Sequence, residues 1–209
     1  DNSGRMSIEK KNHVSAFTRI GKGVNLAIKP DVVDYGGNYA VTQLFRGRSQ
    51  WIKNDTNLLE PTLNNNNDKI FKGYCGTSFS APHVTHIAAR IERALEKQMG
   101  EVPSANLVRA LLVNSARCSK EMAEWGESSE DELYLGKNNP KQERKLRLYG
   151  FGKADDSLLY SDYNRVTLFA EDNLPLRSFH LYKIPVPKEF LQIKENKTIS
   201  ISLAYNPST

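Results

Sequence analysis

The sequence predicts an α/β fold: part of a parallel sheet flanked by two helices, followed by an antiparallel β segment. In two stretches, 80–99 and 104–117, apolar residues recur at three- and four-residue steps, the period of a helix with one buried face. Short apolar runs at 32–33 and 39–45 precede them and indicate buried strands. Beyond Ser161, apolar and polar residues alternate as in half-buried strands. We therefore place one domain at 1–160 and the start of a second at 161–209.

Local signals mark the ends of the two helices. Pro82 suits a first turn, where its missing N–H is not needed, and Gly100 is a stop signal. Ser104, which follows a proline, is a candidate N-cap for the second helix. The stretches 53–69, with its asparagine run, and 119–145, with its dense charge, are predicted to be exposed loops. Residues 148–160 indicate a turn that leads into a short helix.

Composition excludes several classes of function. The formal net charge is +5, and the basic residues are interspersed with acids, which argues against nucleic-acid binding. No apolar run approaches the length of a membrane span. Cys75 and Cys118 form no C-x-x-C pair, so we expect free thiols, with Cys118 buried. The four histidines form no ligand set with carboxylates, so no metal site is predicted.

One serine lies where a nucleophile would be useful. In "GYCGTSFSAPHV", residues 73–84, small polar residues run directly into an apolar helical pattern. A nucleophilic hydroxyl needs a general base and N–H donors for the developing oxyanion. The first N–H groups of a helix have no internal partner and carry partial positive charge. Ser78 is therefore a candidate nucleophile, and Gly76 would let the backbone pass close to a substrate.

These residues resemble a known protease motif. "GTSFSAPHV", residues 76–84, resembles the nucleophile motif G-T-S-x-[AS]-x-P-H-V of the subtilisin-like serine proteases, the peptidase S8 family. "SAFTRIG" at 15–21, "IKPDVV" at 28–33 and "YGFGKADDSLL" at 149–159 are similar to three further landmarks of that family, in the same order. The resemblance implies a serine endopeptidase in which Ser78 attacks the peptide carbonyl and its own N–H is one oxyanion donor.

The resemblance also implies roles for neighbouring residues. Tyr74 and Cys75 would lie on the leaving-group side of the cleft. His83 would be a buried, hydrogen-bonded structural histidine and not the catalytic base. His86 has no support from the motif, and Asp31 would be a structural acid.

At three positions the chain departs from the family pattern. Phe79 replaces the methionine that commonly follows the serine, which would narrow the site. Asp34 and Tyr35 stand where an alanine and a proline are expected. These changes predict an altered geometry in the loop that contains them.

The other members of a catalytic triad cannot be named in this chain. A complete subtilase carries Asp in D-[ST]-G and His in H-G-T-H-V before the serine. Asp1-Asn2-Ser3-Gly4 mimics the first motif, but no His-Gly-Thr follows it, and His13 lacks the glycine and threonine. We therefore expect the C-terminal half of a catalytic domain that is inactive alone and needs its missing N-terminal half or self-association. Calcium is common in the family, but no site for it or for another cofactor can be identified.

Alternatives remain open at this point. One is a non-catalytic, pseudoprotease-like module that binds a peptide or protein by strand pairing beside residues 26–33. Nucleotide binding at the G-x-G of 21–23 is weaker, because no third glycine or Walker lysine accompanies it. The expected partner is a peptide or protein substrate, with no nucleic acid and no membrane. Cys75 beside the nucleophile favours a cytoplasmic location, whereas the family resemblance favours export as the alternative.

Overall fold

The structure, a computed structural model, describes residues 4–20, 23–24, 27, 29–43, 47–65, 68–124, 141–159, 166–192, 194 and 197–206. Three strands form one antiparallel sheet in the order β1 (Arg5–Ser7), β2 (Ala40–Gln43) and β3 (Ser49–Ile52). The strand predicted at 39–45 is thus confirmed as β2. A hairpin of β4 (Glu60–Leu63) and β5 (Phe71–Tyr74) forms the second sheet.

The two longest helices lie where the sequence predicts them. They are α1 (Thr77–Met99), α2 (Ala105–Ser115), α3 (Lys120–Glu124), α4 (Lys141–Tyr149), a short 3-10 helix (Ser157–Leu159) and α5 (Lys188–Gln192). Ser104 Oγ accepts the Leu107 N–H at 3.2 Å, which confirms the predicted N-cap of α2. Gly100 ends α1 with φ +80°, and its N–H donates to the Glu96 carbonyl. Among the described residues, no helix is both long and apolar enough to cross a membrane.

The chain divides into two compact units, Asp1–Ile87 with Ala116–Ala154, and Ala88–Ser115 with Asp155–Thr209. In the first unit, Met122, Leu148 and Tyr149 form a buried cluster against Val14 and Val33. In the second unit, the buried side chains on α1 and α2 are Ile91, Leu95, Leu107, Leu111 and Ser115.

The described sheets are antiparallel, and the parallel sheet stays a prediction. Val33 and Lys153 form the one parallel bridge among the described residues. The mixture of helices and small sheets agrees with the α/β class.

Two predicted loops contain ordered elements. Residues 53–69 include β4, because Glu60–Leu63 pairs with a strand whose apolar residues lie beyond the asparagine run. Residues 119–145 include α3, whose Met122 is buried, and the start of α4, whereas 125–140 lie outside the described residues. Charge density alone did not reveal the buried methionine. The short helix predicted within 148–160 is confirmed at Ser157–Leu159.

The region beyond Ser161 differs from its alternating pattern. The described residues between 166 and 206 form α5 and otherwise unpaired extended or irregular backbone, without a strand. The apolar side chains of Ile199, Ile201, Leu203 and Tyr205 are exposed. The alternation predicts strands with one buried apolar face, whereas these apolar side chains are exposed and the described residues supply no partner strand. The boundary near Ser161 falls within 160–165, outside the described residues, and stays a prediction.

Candidate active site

Ser78 lies in the first turn of α1, four residues after β5 ends at Tyr74. The helix begins at Thr77, earlier than the predicted start at 80 or 82, so the serine is part of the helix. The Phe79 N–H donates to the Gly76 carbonyl at 3.0 Å. Among the described residues, no acceptor takes the Ser78 N–H, and the side chain is exposed. An unbonded N–H at the positive end of a helix therefore accompanies an accessible hydroxyl.

Two glycines fix the backbone before the serine. Gly76 has φ +147°, a conformation that side chains with a Cβ rarely adopt. Its N–H donates to the Gly36 carbonyl at 2.7 Å. A Cβ at Gly36 would lie 2.8 Å from the Gly76 carbonyl oxygen, so only glycine fits there. The loop that carries Ser78 is thus joined to residue 36 by direct contact between two backbones.

The sequence predicts Pro82 in the first turn of its helix, whereas Pro82 is the sixth residue of α1. A residue at this position would normally donate its N–H to the carbonyl four residues earlier, which is that of Ser78. Proline has no N–H, so this carbonyl lacks its usual helical partner. The helix nevertheless extends back to Thr77, whose carbonyl accepts a hydrogen bond from Ser80 Oγ at 3.0 Å.

Two aromatic rings lie on either side of Ser78 in the sequence and stack on each other. The ring centroids of Tyr74 and Phe79 are 5.9 Å apart and the planes differ by only 7°. Lys72 Nζ lies 5.0 Å from the Tyr74 centroid, a cation–π distance. The sequence identified Phe79 as a departure from the family pattern, but nothing in it indicated this stack.

Cys75 is half-buried and interacts with Tyr39, a contact that the sequence did not indicate. A hydrogen bond between the two side chains raises the pKa of the Tyr39 phenol. A Cβ at Gly37 would lie 2.8 Å from Cys75 Cβ, so the cysteine also packs tightly against that glycine. Both cysteines are free thiols, as predicted, but Cys118 is exposed and not buried. It follows the short bridge formed by Arg117, and its Sγ lies 4.0 Å from the Phe151 carbonyl oxygen.

The histidines are not arranged as a catalytic base. His83 is exposed, and the expectation of a buried, hydrogen-bonded histidine is wrong for the described structure, because no described element covers this position of α1. His86 is exposed on the same helix. Within the described part of the chain, no hydrogen bond joins a histidine to Ser78 Oγ. Residues 1–3, which mimic the triad Asp motif, lie outside the described residues.

The two aspartates in the segment 29–36 have different surroundings. Asp31 forms an ion pair with Lys29 at 2.5 Å, and its carbonyl accepts the Phe151 N–H at 2.8 Å. Asp34 has a nearly buried side chain, 4% exposed, which pairs with Lys153 at 3.2 Å. The sequence identified Asp34 as unusual for the family, but not its partner, which lies more than a hundred positions away.

A cavity of about 1500 Å³ lies in the first unit beside the first half of α1. Gly36, Thr77, Ser80 and Lys153 contribute to its lining, together with apolar residues such as Val33 and Leu148. Among the described residues, no three His, Cys, Asp or Glu side chains form a group able to hold a metal ion. The expectation about calcium and other cofactors stays a prediction.

Comparison with known proteins identifies the family. The profile of the subtilase family, peptidase S8, matches residues 6–152. A Sinorhizobium fredii protein described as the uncharacterized protein y4bN is 38% identical over 205 residues, which are 96% of this chain and 43% of that protein. The chain thus spans less than half of the length of this relative. No solved structure gives a significant match. The motif at 76–84, its position at the start of α1 and the profile match together lead to one conclusion: the chain belongs to the subtilase family of proteases.

Proposed function

We propose that this chain carries the nucleophile of a subtilisin-type serine endopeptidase, with Ser78 as the attacking residue. The observation that carries the proposal is the exposed Ser78 hydroxyl at the start of α1, beside its own N–H, which no described residue accepts. The family supports a protease, and the geometry of this turn suits acyl transfer in particular.

The reaction assigns separate roles to the side chain and the backbone of Ser78. Its Oγ bonds to the peptide carbonyl carbon as a base removes the hydroxyl proton, and the oxyanion accepts a hydrogen bond from the Ser78 N–H. The C–N bond then breaks and the amine leaves with a proton from the base, which yields an acyl-serine. Water hydrolyses this ester and restores the hydroxyl. The stacked Tyr74 and Phe79 rings provide an apolar wall for the leaving-group side of the substrate.

The base and its orienting acid are proposed to come from outside these residues. No histidine in the chain matches the H-G-T-H-V motif, and His83 and His86 lie on the helix that already carries the serine. The chain alone is then an inactive C-terminal part of the catalytic domain. Loss of a triad member lowers kcat by roughly 10⁴-fold or more.

The same proposal gives the chain a structural partner. We propose that the N-terminal half of the catalytic domain completes a parallel sheet against it. Large apolar side chains exposed on the β4–β5 hairpin, Leu63, Ile70 and Phe71, support a covering partner. Self-association of the isolated chain is the alternative, and sedimentation velocity distinguishes a monomer from an oligomer. The proposed substrate is a peptide or protein, and the cytoplasm is the proposed location.

A fluorophosphonate probe, read by intact mass, tests the nucleophile. Such a probe labels an activated serine and not merely an exposed one. We expect label on the whole protein, loss of label in Ser78→Ala, retention in the neighbouring Ser80→Ala, and no label on the 209-residue chain alone. An unlabelled whole protein refutes the nucleophile. If the isolated chain is labelled and the label depends on Ser78, the base lies within this chain. That result refutes the proposal that the base and its acid come from outside these residues.

A second candidate is a pseudoprotease-like module that binds peptides without cleaving them. It is favoured by the lack of a hydrogen bond from any described histidine to Ser78 Oγ. Two results together would support it: no D-[ST]-G and H-G-T-H-V motifs in the whole protein, and peptide binding that Ser78→Ala leaves unchanged.

A further inference from the structure

We propose that the ion pair between Asp34 and Lys153 is a positioning device for the nucleophile loop. The inference rests on the proposed function, because it takes Ser78 as the nucleophile. Their effect would pass through the backbone of residues 35, 36 and 76.

The pair is formed in a largely buried setting. The Asp34 side chain is 4% exposed, whereas that of Lys153 is 35% exposed, and the Nζ–Oδ1 distance is 3.2 Å. The same Asp34 oxygen accepts the Tyr35 N–H at 2.7 Å. Lys153 Nζ also lies 5.1 Å from the centroid of the Tyr35 ring. Both residues that depart from the family pattern in this segment, Asp34 and Tyr35, therefore contact the same lysine.

The position of Lys153 is restrained because its backbone pairs with other segments on two sides. It pairs with Val33 in the parallel bridge, where the Val33 N–H donates to the Gly152 carbonyl at 3.0 Å. It also exchanges two hydrogen bonds with Arg117, both of 3.0 Å. The lysine thus restrains a segment whose start is already anchored at Val33.

The restrained segment leads directly to the serine loop. Gly36 follows Tyr35, is buried, and accepts the Gly76 N–H at 2.7 Å. The Gly36 Cα and the Gly76 carbonyl are too close for a side chain to intervene. A shift of Tyr35 or Gly36 must therefore move Gly76, which precedes Ser78 by two positions.

The difference in burial between Asp34 and Lys153 predicts which substitution perturbs the serine loop more. Lys153→Met leaves a buried carboxylate without its cation, which is strongly unfavourable. Asp34→Asn leaves a partly exposed lysine that water can solvate. Lys153→Met should therefore perturb the loop more than Asp34→Asn, and the double variant should resemble Asp34→Asn, since coupled residues are not additive.

The matched control is Lys29→Met, which removes the cation of the more exposed Lys29–Asp31 pair in the same segment. Lys153→Arg keeps the charge and should restore the wild-type behaviour. Two measurements are made on every variant: hydrogen exchange of the Gly76 amide, with the Val41 amide of β2 as reference, and the rate of fluorophosphonate labelling of the whole protein.

For Lys153→Met we expect Gly76 exchange to accelerate roughly 10-fold relative to Val41, as in a local opening. Labelling of Ser78 should slow by roughly 10- to 100-fold, because small misplacements of a reacting group reduce rates to that degree. Lys29→Met should change neither. Two outcomes overturn the inference. If amide exchange accelerates equally at Gly76 and Val41, the ion pair only stabilises the fold as a whole. If exchange at Gly76 is unchanged, the ion pair does not position the loop. An unlabelled wild-type protein refutes the proposed function, and the exchange data still decide this inference.

Discussion

Gly36→Ala tests whether contact between two backbones positions the serine loop. The added Cβ would lie 2.8 Å from the Gly76 carbonyl oxygen, whereas ordinary contact begins at 3.4 Å. The two segments must therefore separate by about 0.6 Å, the difference between these distances. The same movement would stretch the 2.7 Å hydrogen bond from the Gly76 N–H beyond its usual range.

Two contributions determine how much Gly36→Ala lowers the free energy of unfolding. Overpacking in a tight site typically destabilises by about 1–3 kcal/mol. Loss of one backbone hydrogen bond adds about 0.5–1.5 kcal/mol. Gly36 does not occupy the left-handed region, so no conformational penalty of alanine is included. The expected loss in the free energy of unfolding is about 1.5–4.5 kcal/mol, the sum of these two ranges.

The assay is urea unfolding of the 209-residue chain followed by circular dichroism. Gly100→Ala is the matched control, because it has φ +80° and no atom within 4 Å of the added Cβ. Its expected loss is about 1 kcal/mol, from backbone conformation alone. In the whole protein, only Gly36→Ala should also slow labelling of Ser78. A Gly36→Ala chain within about 0.5 kcal/mol of wild type, the range of ordinary surface changes, would refute the reasoning.

Three further outcomes are expected. Ser104→Ala should lower stability by about 1 kcal/mol in urea unfolding, because α2 loses its N-cap. Ile91→Ala should lower it by about 2–5 kcal/mol in the same assay, since Ile91 is 0% exposed. Hydrogen bonds from Ser119, from its own backbone N–H and from Asn12 lower the pKa of Glu121 to about 2, from an ordinary value of 4.5. The depressed pKa means that this carboxylate stabilises the fold above pH 4.5 and that the contribution is lost as pH falls toward 2. NMR titration should give the low pKa, and Glu121→Gln should flatten the dependence of stability on pH between those values; an ordinary pKa would contradict the assignment.

Local signals in the sequence predicted the two longest helices, α1 and α2. The Ser104 cap, the Gly100 stop and the apolar steps along α1 and α2 all depend on residues within a few positions of one another. The strand at 39–45 was found for the same reason. The hairpin of β4 and β5 was missed because Glu60–Leu63 has little strand character and is ordered by its pairing with β5.

The candidate site likewise has features that local sequence patterns predicted and features that they did not. Ser78 and its helix were identified from a continuous motif. The Asp34–Lys153 pair and the contact of Tyr39 with Cys75 join residues far apart in the sequence, and no local pattern reports such pairings. His83 shows the converse error, because a role implied by the family required a covering element that the described residues do not provide.

What the described residues contribute to the site is mostly backbone geometry. The Ser78 N–H has no acceptor among the described residues, the Ser78 carbonyl lacks the helical donor that Pro82 removes, and Gly76 is held by Gly36. None of these features depends on a base near the hydroxyl. Geometry and reactivity are therefore separable properties of this chain: hydrogen exchange at Gly76 can report a formed loop while the probe leaves Ser78 unlabelled. If reactivity appeared only when a second polypeptide segment was supplied, with Gly76 exchange unchanged, the loop would be formed before the base arrives. If Gly76 became protected only on that addition, the missing segment would order the loop as well as activate it.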